Sequence, residues 1–212
     1  ELSEAEGEAN ALRAEFSALE RVIARDSADG EQLIDSIVAK KGYEAALGAA
    51  LADDLKMPII DVTGISGWSQ MPDYPKIEKL PNDSESLSFY VNAPTILSRR
   101  LSQIGIVSQK DGPSLQADLM PGQRLVSVEG DLWRWDGFRQ SGNDAPSAAA
   151  LRLQQQNRLE ELRVGLESAE LRLDKSRSIF EKIHQELKDI IQADQDARIE
   201  RKSSDEMATN AS

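Results

Sequence analysis

Two stretches of this chain repeat apolar residues at spacings that alternate between three and four. A stripe of that kind must be covered by another helix. The first stretch runs Leu2, Ala5, Ala9, Leu12, Phe16, Leu19, Ile23; the second runs Leu159, Leu162, Leu166, Ala169, Leu173, Ser176, Phe180, Ile183, Leu187, Ile190. Both are a/d seams of a heptad, with Glu and Arg on the other faces. As helices they would span ~33 Å and ~48 Å. Gly7 is a weak point in the first, costing about 1 kcal/mol against alanine. An Asp-Gly turn within 25–30 ends the first stripe, and beyond Ile190 the second fades into Asp194 and Ala197.

Two arrangements cover such stripes. Each arm can dimerise with another chain, or the two arms can pair with each other, antiparallel, with the intervening chain at the tip. The second is favoured: the arms flank one compact segment, so its entry and exit can lie side by side. Their unequal lengths put part of the longer arm's partner outside this sequence. With Glu1 first and the heptads already running at Leu2, the chain reads as an excerpt of a longer protein. The expected division is an N-terminal arm at 1–28, a globular domain at 31–146, a C-terminal arm at 147–202 and a frayed polar tail at 203–212.

The middle holds ten of the thirteen glycines and all the tryptophans and tyrosines. It is long enough for one core. Residues 31–38 fit a short helix or strand, and 42–55 an amphipathic helix with Tyr43, Ala46, Leu47, Ala50 and Leu51 on one face. Residues 58–64 are a strand candidate and 64–85 a long loop. A strand at 86–92, a helix at 93–105, a strand at 104–108 and a short helix at 112–119 follow. "RLVSVE" and "DLWRW" then alternate on either side of a tight turn at Gly130, predicting a hairpin. The fold class is a mixed α/β globular domain flanked by two long helices in an intramolecular antiparallel coiled coil.

Composition and motifs narrow the function. The net charge is −12, with no cysteine and one histidine. Disulfides, zinc-finger sites and thiol catalysis are excluded, and strong sequence-independent DNA binding is not expected. No apolar run approaches the ~18 residues of a membrane span. No nucleotide-binding or nucleophile-elbow motif is present, so neither enzymatic activity nor a bound cofactor or metal is expected. His184 reads as part of a solvated helix face, and the carboxylate pairs Asp53–Asp54 and Asp131–Asp136 as a helix end and a hairpin turn.

Two surfaces stand out. Trp133 and Trp135, expected to point the same way from their strand, make the hairpin with Gly137 and Phe138 a candidate protein–protein contact. Lys40, Lys41, Arg99, Arg100, Arg134 and Arg139 read first as solvated faces, with a patch for DNA phosphate as the functional alternative.

The strings "GYEAALGAAL", "VNAPTILSRRLSQIGIV" and "PGQRLVSVEGDLWRWDGF", with "NRLEEL" in the returning arm, resemble the hinge region of bacterial SMC chromosome-segregation proteins. The resemblance covers most of residues 31–160. It implies a hinge at which the chain folds back, a homodimer through that hinge, and arms leading to distant ATPase heads. ATP and magnesium would then belong to the heads alone. Kleisin and accessory subunits, weak DNA binding at the hinge, and a cytoplasmic, nucleoid-associated location are implied likewise. Family hinges bring backbones together through glycines, so Gly48, Gly130 and Gly137 join the interface candidates. "LWRWDGFRQSG" departs from the family's glycine pattern, which implies a contact resting more on Trp133, Trp135 and Phe138. Rival readings are a coiled-coil adaptor and a DNA-binding module with incidental dimerisation.

Overall fold

The computed structural model describes residues 1–26, 32–61, 65–82, 84–144 and 147–210. The chain divides into two compact units, one of Glu1–Phe16 with the chain from Leu162 onward, the other of Ser17–Glu161. Helix α1 spans Leu2–Asp26. Every residue of its heptad stripe is at least partly buried, Ala9 fully, and almost every other position is exposed. The Asp-Gly turn expected after it lies outside the described residues.

In the second unit, a 3-10 turn at Leu33–Ser36 precedes strand β1 (Val38–Ala39), so the first stretch is a turn and then a strand. Helix α2 (Glu44–Leu51) is not amphipathic as expected. Ala46, Leu47, Gly48, Ala49, Ala50 and Leu51 are all buried, because α2 is covered on more than one side. Of the strand expected at 58–64, the described residues form only a single bridge, Ile59 to Trp68. The stretch read as one strand at 86–92 is broken into β2 (Glu85–Ser86), a 3-10 turn at Leu87–Phe89 and β3 (Val91–Asn92). The Ser86 hydroxyl accepts the Ser88 N–H, which caps the turn and carries Leu87 into the core.

A 3-10 turn and the short helix α3 (Ser98–Leu101) then lead into β4 (Ile104–Ile106). Helix α4 (Gly112–Leu115) and a 3-10 turn at Gln116–Asp118 follow. The expected hairpin is β5 (Arg124–Val126) with β6 (Leu132–Arg134), and β7 (Arg139–Gln140) adds a further strand. The larger sheet has the order β2-β4-β5-β6-β7, antiparallel except for the parallel pair β4–β5, whose crossover carries α4. β1 and β3 form a separate antiparallel pair.

Strand alternation sorts the side chains between two cores. Val126 and Leu132 point into the main core with Leu47, Leu51 and Leu97. Leu125 and Trp133, one residue along each strand, point into a second core with Val107, Leu119 and Leu115.

Helix α5 (Ala148–Asn210) is continuous. Its first turns belong to the globular unit. Ala149 and Leu153 are in the main core, and a methyl added to Gly48 would lie 2.5 Å from the Ala150 Cβ. Arg152 pairs with Asp35, and the Asn157 amide donates to the Ala39 carbonyl at 2.9 Å and to Glu44 at 2.6 Å.

In the other unit α1 and α5 pair antiparallel within one chain, as expected. Arg13 meets Glu170 at 2.6 Å, Glu8 meets Arg172 at 2.5 Å and Glu6 meets Arg177 at 3.7 Å, so numbers fall along α1 as they rise along α5. Exposed pairs like these contribute about 0–1 kcal/mol each. Burial of seam residues such as Ala9, Leu162 and Ala169 does more. Leu166 and Leu173 are partly buried, whereas Phe180, Ile183, Leu187 and Ile190 are exposed. The polar tail expected from 203 is helical as far as Asn210, since extending a helix avoids the cost of nucleating one.

Candidate functional site

The sheet ends in two consecutive tight turns built alike. In the first, the Gly130 N–H donates to the Ser127 carbonyl at 3.1 Å and the Ser127 N–H to the Asp131 carbonyl at 3.0 Å. In the second, the Gly137 N–H donates to the Arg134 carbonyl at 3.1 Å and the Arg134 N–H to the Phe138 carbonyl at 2.9 Å. Each is a three-residue hairpin loop closed by a glycine at positive φ, +98° at Gly130 and +89° at Gly137.

This geometry separates the two tryptophans, contrary to the expectation that they share a face. Trp133 is still within β6, is 6% exposed, and lies against the Gly112 backbone in the second core. Trp135 is past the strand, inside the turn, and is 48% exposed, as is Phe138. Trp133 and Gly48 therefore act in internal packing in this chain. Gly130 faces Ala45 of α2, whose Cβ a methyl added at Gly130 would meet at 3.4 Å, in van der Waals contact. Of the interface candidates, Trp135, Gly137 and Phe138 lie together at an exposed tip beside β7, an edge strand.

Two polar side chains hold the turns: Asp131, read from the sequence as part of a hairpin turn, and Gln116, which was not singled out. Gln116 is buried. Its amide donates to the Arg134 carbonyl at 2.8 Å and the Phe138 carbonyl at 3.1 Å, and its Oε1 accepts Arg139 Nε. The Asp131 carboxylate accepts from Gly142 N–H at 2.8 Å, Ser127 Oγ at 2.6 Å and Gln109 Nε2 at 2.6 Å. Burial alone would raise the Asp131 pKa, but these hydrogen bonds outweigh it and hold the carboxyl below its ordinary value. No local sequence pattern marks Gln116, since its partners lie about twenty residues away.

The six basic candidates do not form one patch. Lys41 pairs with Glu161 at 2.6 Å and holds that carboxyl below its usual range. Lys40 lies 5.5 Å from the Tyr90 ring centre, and Arg139 is tied to Gln116. Arg100 and Arg134 do come together, with Arg124 as a third member. β5–β6 register sets Arg124 directly opposite Arg134, an unfavourable like-charge pair. An Arg124 Nη donates to the Ala50 carbonyl, near the negative end of α2, and Arg134 pairs with Asp136. Burial, with Arg100 and Arg134 nearby, pushes Arg124 down to about 10. Burial, and then Arg134, also lower Arg100. The sequence predicted the hairpin but not its register, and it is the register that pairs Arg124 with Arg134.

His184 is on the exposed part of α5, 6.0 Å from Phe180 ring to ring. Asp53 pairs with Lys56 at 2.7 Å. Among the described residues no group of three His, Cys, Asp or Glu could hold a metal, and no helix is long and apolar enough to cross a membrane.

The chain is similar to two chromosome partition proteins named Smc. That of Cereibacter sphaeroides is 50% identical over 181 residues, covering 85% of this chain and 16% of that protein. That of Rhodopseudomonas palustris is 43% identical over 149 residues, covering 70% of this chain and 13% of that protein. The chain thus spans less than a fifth of the relatives it matches. No protein-family model matches it. Among solved structures, an asymmetric dimer of the Geobacillus stearothermophilus SMC hinge domain has the same fold: TM-score 0.61 at 15% identity, covering 87% of this chain and 93% of that one.

Proposed function

The chain is a hinge segment of the bacterial SMC family, and from that premise we propose that its globular unit binds a second copy of itself, joining two long helical arms. The observation that carries this reading is the 50% identity to a chromosome partition protein across 181 residues. That span is most of the globular unit and its arms. The exposed tip of Trp135 and Phe138 beside the open edge of β7 supports a self-association surface, since apolar rings at an unpaired strand edge are what a partner buries. Interface burial of Trp133 and Gly48 is not part of the proposal. In the longer protein the arms would lead to ATPase heads, where ATP and magnesium act. The assembly would hold chromosomal DNA with kleisin and accessory subunits, in the cytoplasm at the nucleoid. The hinge itself has no catalytic role in this reading.

Sedimentation equilibrium at micromolar concentration tests it. The expected mass is twice the 23.4 kDa of one chain. Trp135→Ala with Phe138→Ala should weaken association by about 30-fold, the loss of a hot spot of about 2 kcal/mol, without lowering the melting temperature. A monomer at that concentration, or a double variant that associates unchanged, overturns the reading.

A second reading, weak DNA contact, is favoured by the convergence of Arg100, Arg124 and Arg134 in an otherwise acidic chain. A mobility-shift titration across salt tests it: phosphate contacts would make affinity fall steeply with salt.

A further inference from the structure

We propose that the cleft between α3 and the 65–82 segment binds a phosphate group joined to a planar ring, the chemistry of a nucleotide. The cleft encloses about 380 Å³, within the size range of small-molecule sites. Its charge opposes that of the chain. Lys76, Arg99 and Arg100 line it against the single carboxylate of Glu78, while the whole chain carries −12. Lys76 and Glu78 pair with each other at 2.8 Å, which leaves the two arginines as the excess.

Neither arginine is paired with a carboxylate among the described residues. The hydrogen bond of Arg100 is a long one, 3.4 Å to the Gly122 carbonyl, and that side chain is already half-buried, with Arg124 and Arg134 near it and the Asp54 carboxylate, which forms no ion pair with it, only partly offsetting burial and those charges. A half-buried guanidinium beside two others gains most from an anion, and its planar fork matches phosphate oxygens. Arg99 is stacked on the Tyr74 ring at 3.8 Å, which engages its face and leaves its in-plane N–H donors for a ligand.

The remaining wall suits a flat apolar group. Trp68 and Tyr74 both border the cleft, and Trp68 is fixed there by its indole N–H, which donates to the Asp54 carbonyl at 2.8 Å. Arginine donors and aromatic rings in one cleft, with Arg99 lying on Tyr74 itself, fit a phosphate and its base, and base–aromatic stacking is worth about 1–3 kcal/mol. The same chemistry is offered by a free mononucleotide and by the end of a single strand. This inference stands apart from self-association, because the cleft residues are not those of the tip.

Calorimetric titration of the full chain tests it, with adenosine monophosphate, inorganic phosphate, adenosine and a 5′-phosphorylated thymidine tetramer as probes. The monophosphate should bind, and phosphate and adenosine should each bind at least about tenfold more weakly, a loss of about 1.4 kcal/mol. Arg100→Gln and, separately, Tyr74→Leu should each weaken the monophosphate at least about tenfold, whereas Lys41→Gln should leave it unchanged. Tyr74→Leu alters an exposed loop residue, so it reads the site even if Arg100→Gln fails to fold. A tetramer that binds about tenfold more tightly than the monophosphate assigns the site to a strand; equal or weaker binding assigns it to a free nucleotide. No binding of either the monophosphate or the tetramer at about 5 mM, or binding that Tyr74→Leu leaves intact, overturns the proposal.

Discussion

Asp131 ties the first hairpin turn to the chain at Gln109 and Gly142, and its ionised form does so best. Its carboxyl is held below the ordinary value of about 3.9, so the stability it adds is fully present above that pH and is lost as pH falls through the lower, folded value. Asp131→Asn should therefore cost about 2–3 kcal/mol at pH 7, by loss of charge-assisted hydrogen bonds. The deficit against the natural chain should shrink toward pH 2. Urea unfolding at both pH values checks this, and a deficit that grows on acidification would contradict it. At Gly48, an added methyl would have to displace the Ala150 backbone as well as its side chain. Gly48→Ala should lower stability by about 1–3 kcal/mol through overpacking, although alanine favours helix. Trp133 and Trp135 show where residue-level reading stopped. Alternation puts them on one face only while the strand lasts, and the strand ends between them.

The two hairpin turns invite comparison as elements. Each needs a residue at positive φ, and a methyl would meet an ordinary van der Waals contact at Gly130 and open space at Gly137. Gly130→Ala and Gly137→Ala should thus each cost about 1–2 kcal/mol, the left-handed penalty alone, and nearly equally by thermal unfolding. Asn at 137 should recover part of the loss, as it tolerates that conformation. At this scale the hairpin and the long helices were legible, because a repeated period over many residues leaves little choice. The 58–64 and 86–92 stretches were not. Runs of two or three paired residues are set by what lies across the sheet, and a capping hydroxyl such as Ser86 is enough to break them into turns. Gly48 was visible as a family glycine, but its neighbour Ala150 lies about a hundred residues away, where no local pattern reaches.

At the scale of the whole molecule, the seams called for partner helices, and their place on either side of one compact segment favoured the antiparallel pairing within the chain. The charge pairs fix a register in which Glu6 meets Arg177, so protection from amide exchange should change along α5. Residues 162–177, backed by α1, should exchange markedly more slowly than residues 183–199, whose apolar side chains are exposed. Uniform exchange along α5 would contradict the pairing. The acidic balance was also legible, but not the gathering of Arg100, Arg124 and Arg134, which requires the register of β5 against β6.

The C-terminal helix leaves the globular unit already anchored, through Arg152 on Asp35, Asn157 on the Ala39 carbonyl, and Ala150 against Gly48. A shaft embedded over several turns resists swivelling at its root. Load on α5 within the globular unit would reach β1 through Asn157 rather than dissipate in a loose joint.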